Sequence, residues 1–332
     1  MKKNIFLSAL LCGCASLSAC ASGETYTSTN DGTGSTVYFT SEISPEALVN
    51  IFETLQVEPK GKVAVKISTG ESEKSHHLDP ALIKDLVQKV NGTLVECNTF
   101  YKGNRGDTET HYKTVAERGY DKIAPVDIMD GTDTIHIMVK DNKWIHYDIV
   151  GKTLPDYDFM INLAHFKGHQ MGGFGGVLKN ASIGVASAAG KAYIHSAGQT
   201  ETGWGNADQD AFLESMAAAA QGVHDFFKQP GKDIVYINVM NNMSVDCDCN
   251  GNPAAPQLAN MGILASTDPV ALDKACLDLV FAHEDAEGDT AAPLIERIRK
   301  MHGTHTVDYA EELGLGTTHY TLVNIDNPTN AD

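Results

Sequence analysis

Imidazoles, amines and thiols gather in two short stretches of this chain. Residues 162–195 read NLAHFKGHQMGGFGGVLKNASIGVASAAGKAYIH and place His165, Lys167, His169, Lys179, Lys191 and His195 around five glycines between 172 and 184. The second stretch is Cys247-Asp248-Cys249, inside a polar loop at 244–252. Neutral imidazoles and thiolates suit a borderline or soft transition metal such as iron, zinc or nickel. Ammonium groups beside them would neutralise an anionic substrate or an oxyanion. The candidate metal ligands are therefore His169, His195, Cys247 and Cys249, with Lys66, Lys167 and Lys179 as catalytic, anion-facing neighbours. Exposed backbone at Gly172, Gly173, Gly175 and Gly176 would suit an anion, a metal or both. Two plainer readings stand beside this one. The glycine segment is a surface loop with scattered histidines, and the cysteines are a redox-active pair or simple surface thiols.

The elements that must position these groups follow from apolar patterning. Short apolar runs at 62–67, 93–97, 158–163, 233–239 and 262–266 read as strands. Helices are expected at 80–90, 108–119, 208–227, 268–282, 291–301 and 305–313, and a last strand at 318–325. Asp268 before Pro269 is an N-cap signal. Runs at 134–139 and 143–150 flank Asp141 and Asn142 as a hairpin. Strands interleaved with helices predict an α/β fold: a largely parallel sheet flanked by helices, with a small antiparallel hairpin. If all five central strands are parallel, their C-terminal ends share one edge. The segments leaving that edge are 68–77, 98–107, the glycine segment, 241–252 and Asp268, so each unusual cluster falls at one site. Cys97 and Cys276 lie in apolar surroundings and read as core thiols.

The ends and the charge bound the location and partners. Lys2 and Lys3, an apolar run at 5–11 and Leu17-Ser18-Ala19-Cys20 have the layout of a secretory signal, too short for a membrane span. The residues before Cys20 resemble the lipobox of bacterial lipoproteins, which implies a signal peptide at 1–19, lipidation of Cys20 and a periplasmic or extracellular domain. Residues 20–35 hold no apolar periodicity and read as a flexible tether, leaving 36–332 as one domain. A formal net charge of −18 argues against nucleic acid and leaves the lipid anchor as the one membrane contact. It also sets off the basic segment 165–191, which contains no carboxylate.

Several common sites are missing. The glycine cluster lacks Gly-x-Gly-x-x-Gly spacing, and no P-loop or Gly-x-Ser-x-Gly occurs. The chain instead resembles the DUF362 family. The resemblance rests on Lys167-Gly168-His169, the glycine turn into Leu178-Lys179-Asn180, Lys191, Tyr193 and His195, and the run 264–273; it spans 60–320. With it, Gly172, Gly173, Gly175, Gly176 and Asn180 become candidate cofactor-binding positions. Many relatives carry a four-cysteine ferredoxin insert, which this chain lacks, so no built-in [4Fe–4S] cluster is expected. The resemblance implies a metal-dependent, redox-type enzyme acting on a small anion, with any electrons coming from an external donor. A non-enzymatic metal- or anion-binding lipoprotein and a metal-dependent isomerase are the alternatives.

Overall fold

A computed structural model describes residues 26–27 and 34–326; Cys20 and the signal segment lie outside that range. In chain order the first half contains β1 (Tyr26–Thr27), β2 (Ser35–Thr40), α1 (Pro45–Thr54), β3 (Val63–Lys66), α2 (Pro80–Lys89), β4 (Thr93–Glu96), α3 (Thr108–Arg118), β5 (Val126–Ile128), β6 (Thr134–Met138) and β7 (Tyr147–Gly151). The site-bearing middle contains β8 (Phe159–His165), β9 (Lys167–His169), β10 (Gly173–Gly175), α4 (Val177–Ala181), α5 (Ala188–His195) and α6 (Gln209–Phe227). The chain then runs through β11 (Asp233–Met240), β12 (Gly262–Ser266), α7 (Pro269–Phe281), α8 (Ala292–Lys300), α9 (His305–Glu312) and β13 (Tyr320–Asn324).

Among the described residues the main sheet has strand order β1-β13-β2-β12-β11-β8-β3-β4-β5, and β9–β10 and β6–β7 form two small antiparallel hairpins. The fold is the expected α/β class. Strands β11, β8, β3, β4 and β5 are mutually parallel. All seven residues of β8 are buried, because it is central and helices cover both faces. Its side chains alternate accordingly. Phe159, Ile161 and Leu163 join Val63, Val65, Val235 and Ile237 in the core under α1 and α2. Met160 and Ala164 join Ala64, Ile234 and Tyr236 in the core under α4, α6 and α7.

One expectation about the sheet fails. Strand β12 runs antiparallel to β11, with Gly262 opposite Met240 and Ser266 opposite Tyr236. The connection through 241–261 carries no crossover helix, so the chain turns back beside β11 rather than repeating the parallel step. Asp268 consequently sits at the far edge, away from the candidate site. There it caps α7 through the Val270 and Ala271 amides and accepts hydrogen bonds from Ser35 and Thr317. Within the range read as a tether, Tyr26–Thr27 pairs with β13.

The remaining parallel strands define the crevice. From β3 the chain moves outward to β4 and β5; from β8 it moves the opposite way to β11. The gap between the C-terminal ends of β3 and β8 is thus a point where connection direction reverses, and such gaps open naturally into ligand clefts.

Candidate functional site

At the end of β8 the chain does not enter a loop, as the glycines suggested. It folds into the β9–β10 hairpin and then two helices. In β9, alternation puts Lys167 and His169 on one side and Gly168 on the other. A Cβ at Gly168 would lie 2.1 Å from the Val245 carbonyl oxygen, and the Gly168 amide donates to Ser244 at 2.8 Å. That close approach presses the cysteine segment against the hairpin. Gly176 serves a second contact: a Cβ there would sit 2.2 Å from Asp273 Oδ1. The Asp273 carboxylate accepts from the Val177 and Leu178 amides (2.9 and 3.0 Å) and from Asn238 (2.7 Å), capping α4 from α7. Lys179 and Asn180 project from the helix so fixed.

The four glycines are buried, contrary to the expectation of exposed backbone. The Gly172 amide is used by His169 Nδ1 at 2.7 Å, and a Cβ on Gly173 would meet Gly303 and Ile298. Only Gly175 and Gly176 line the cavity described below.

Residues 247–249 form a turn rather than an extended segment, which is why both thiols face the same way. Cys249 N–H donates to Cys247 Sγ at 3.3 Å, and Asn250 N–H donates to the Cys247 carbonyl at 2.8 Å. Cys247 is buried, where the sequence offered no apolar neighbours to cover it; the hairpin supplies the cover. Between the cysteines, Asp248 turns away. Its carboxylate meets His165 Nδ1 at 3.0 Å and accepts from Lys167 Nζ at 3.2 Å, while its carbonyl accepts from the Glu71 amide at 2.8 Å. Burial opposes ionisation there, but His165 and Lys167 hold the Asp248 carboxyl well below its ordinary range.

Three potential ligand atoms, one each from His169, Cys247 and Cys249, all lie within 4.8 Å of one another. They sit on the wall of a cavity of about 410 Å³ that Lys66, Lys167, Lys179, Asn180, Lys191 and His195 also line. The volume is within the usual range for small-molecule sites, roughly 300–1,000 Å³. Hydrogen bonding from Cys249 first, then the Lys179 ammonium against the opposing effect of burial, lowers the Cys247 thiol well below its ordinary value. The same hydrogen bond and burial push the Cys249 thiol up. Lys179 Nζ stands 3.8 Å from Cys247 Sγ. Burial, with Lys179 next, lowers His169. Burial also brings His195 down to about 3, leaving it neutral.

The candidate residues do not all play one part. His195 shares the cavity but lies outside the three-atom cluster. Its Nδ1 donates to the Lys191 carbonyl at 2.7 Å, and its Nε2 has no hydrogen-bond partner among the described residues. Lys66, fully buried, donates to Glu96 at 2.9 Å, to Asn180 Oδ1 at 3.2 Å and to the Ile67 carbonyl. Burial pulls the Lys66 ammonium down while Lys66 and Arg105 hold Glu96 low against burial; the close pair geometry supports the ionised pair. Lys66 is therefore already neutralised, and Lys167 is neutralised by Asp248. Lys179 and Lys191 have no carboxylate within 4.0 Å among the described residues. Sequence reasoning brought segments 68–77 and 98–107 to this edge but did not single out Glu71 and Arg105, which with Glu96 form a buried ion network at the cavity floor. It also passed over Phe100, Tyr101 and Trp204 at the rim. Their placement after β4, and Trp204's position between two glycines in a polar loop, were the available signals.

The model of the domain of unknown function DUF362 matches residues 63–278, which contain every element of this cavity. The chain belongs to the DUF362 family. Among solved structures it is similar to a protein from Thermotoga maritima, at 13% identity and TM-score 0.38, over 59% of this chain and 49% of that one. It is also similar to the lactate racemase apoprotein from Thermoanaerobacterium thermosaccharolyticum, at 13% identity and TM-score 0.39, over 75% and 57% of the two chains. The matched regions thus span about half the length of those proteins, and at these scores the likeness is too loose to carry an assignment. The curated proteins contain no sequence match.

Proposed function

We propose that this DUF362 protein is an enzyme of small anions, whose cavity holds a soft transition metal on Cys247, Cys249 and a histidine. The observation that carries the reading is the convergence of the His169, Cys247 and Cys249 ligand atoms in the wall of a cavity with two lysines that no described carboxylate neutralises. Iron, zinc and nickel all accept such a donor set. When bound, the metal supplies Lewis-acid or redox chemistry beside the anion. The protein's own contribution is clearer. Lys179 and Lys191 attract and orient the anion, the Asp248 brace fixes the turn, and His195 offers a bare Nε2 to a donor on the bound molecule. Redox-type chemistry with an external electron donor is the leading form of the reaction, and isomerisation is the other. We further propose that Cys20 carries the lipid that anchors the domain outside the cytoplasm.

Anaerobic titration with Co²⁺ tests the centre. A thiolate-to-cobalt absorption band should appear at one equivalent and vanish in Cys247→Ser and Cys249→Ser. No band in the wild type refutes the metal reading.

A second reading has its own observation. Metal-bound imidazoles ordinarily donate their other N–H to an acceptor. His169 does the reverse, accepting from Gly172 through Nδ1, so Nε2 carries the proton and faces Cys247. That arrangement suits a stabilised Cys247 thiolate working without metal. It predicts rapid, stoichiometric alkylation of Cys247 by iodoacetamide in metal-free protein, slowed in His169→Phe; a protein that binds cobalt at the thiols and is thereby protected favours the first reading.

A further inference from the structure

The cavity has two chemically different ends. The inner end carries Lys179 and Lys191, the cysteines and His169. The outer end is aromatic, built by two loops far apart in sequence that nothing in the metal site requires. Phe100 and Tyr101 come from the segment after β4, and Trp204 from the loop between α5 and α6. Trp204 meets Phe100 edge-on with ring centroids 4.5 Å apart, and lies nearly parallel to Tyr101, at 7° and 6.3 Å. His195 joins the two ends: its ring contacts Phe100 and Trp204, each at 5.4 Å, and stacks on Phe212 at 4.8 Å.

Trp204 is 49% exposed, unusual for a tryptophan already in contact with three rings. Its loop is tied to itself and to the end of α5 rather than buried. Asn206 N–H donates to Gln199 Oε1 at 3.1 Å, and Ser196 Oγ donates to the Thr200 carbonyl at 3.0 Å. Tyr101 and Trp204 lie nearly parallel, and the half-exposed Trp204 ring leaves an aromatic face on which a flat ring can pack at a van der Waals spacing of roughly 3.5 Å. A saturated, puckered body packs on such a face without the added aromatic–aromatic attraction.

We propose that the anion bound here is a carboxylate attached to a flat, unsaturated body, aromatic or conjugated. Its carboxylate lies toward Lys179 and Lys191, and its flat portion packs on the Phe100–Tyr101–Trp204 rim. Charge sets the head group: with Lys66, Lys167 and Arg105 paired to buried acids, Lys179 and Lys191 remain on the cavity wall to meet an anion. Two ammonium groups match the two oxygens of one carboxylate. The inference deepens the anion-binding part of the proposed function and rests on it, but not on the metal.

The test compares benzoate with cyclohexanecarboxylate, which have the same charge and number of carbons but differ in planarity. Calorimetry on metal-free protein should show benzoate binding about three- to tenfold more tightly, the worth of one good aromatic contact. In Trp204→Leu the preference should collapse to near unity. In Lys179→Gln both acids should weaken while their ratio persists. The chain has two tryptophans, so in Trp144→Phe the remaining fluorescence is that of Trp204 and should be quenched saturably by benzoate. Equal affinity for the two acids, or a benzoate preference that survives in Trp204→Leu, overturns the flat-body proposal while leaving the anion site standing. If neither acid binds, the anion site falls as well, and the cobalt band reports on the metal centre independently of both.

Discussion

Asp148 should make this protein less stable as pH rises, and Asp148→Asn should reverse that trend. The residue lies in β7 opposite Ile137, is fully buried, and neither carboxylate oxygen has a well-formed hydrogen bond. The Ile149 amide and Lys191 oppose the cost of burial only partly, and the carboxyl is pushed from 3.8 up to about 7. For an acid, a raised folded-state value means ionisation is harder in the folded chain than in the unfolded one. Below the unfolded value both states are protonated and nothing is lost. Between roughly pH 4 and 7 the unfolded chain ionises first, so stability falls; above that the loss levels off at about 4 kcal/mol, near 1.4 kcal/mol for each of three units. Asparagine cannot ionise, but its unpaired amide costs about 1–3 kcal/mol at every pH. The two proteins should therefore exchange rank: wild type firmer near about pH 4, Asp148→Asn firmer by about 1–3 kcal/mol near pH 8. Urea unfolding of both across that range measures the difference. A gap that stays constant with pH would show that Asp148 is solvated or paired in solution and that the reasoning is wrong.

Other substitutions probe the supports of the site. Gly176→Ala places a methyl against Asp273 and breaks the cap on α4, costing about 2–4 kcal/mol in urea unfolding and weakening carboxylate binding through Lys179. Glu96→Gln leaves Lys66 and Arg105 short of a buried counter-charge, so a loss of about 3–5 kcal/mol is expected, against little change for the exposed pair partner variant Glu58→Gln. Cys20→Ala should shift the folded chain from the membrane fraction to the soluble one; continued need for detergent would refute lipid anchoring.

Strands and long helices were legible because their signals are local. The run 233–239 and the Asp268-Pro269 cap need no distant partner to be recognised, and both occur as read. The direction of β12 was not legible, since it depends on how 241–261 returns rather than on the strand's own residues. In the site, residue types were informative but pairings were not. Lys66 and Lys179 look alike in sequence, yet one is matched by Glu96, thirty positions on, and the other faces a thiol. The glycines misled for a related reason. A glycine that admits a ligand and one that admits Asp273 or the Val245 carbonyl carry the same letter. Trp204 and Phe100 were missed because their partners lie a hundred residues apart.

The reversal of chain direction between β3 and β8 has a consequence for the order of events during biogenesis. Lys66, Glu96, His169 and Cys247 arrive from points spread over nearly two hundred residues, and Cys247 follows β11, the last of the five strands from β11 to β5. A chain that stops short of Gly251 lacks part of the cavity wall. Until β11 pairs with β8, the two thiols have neither His169 nor Lys179 beside them and stand open to oxidation. On the proposed function, a metal or anion would bind only once that wall is complete, and the domain that binds it would gain stability from doing so.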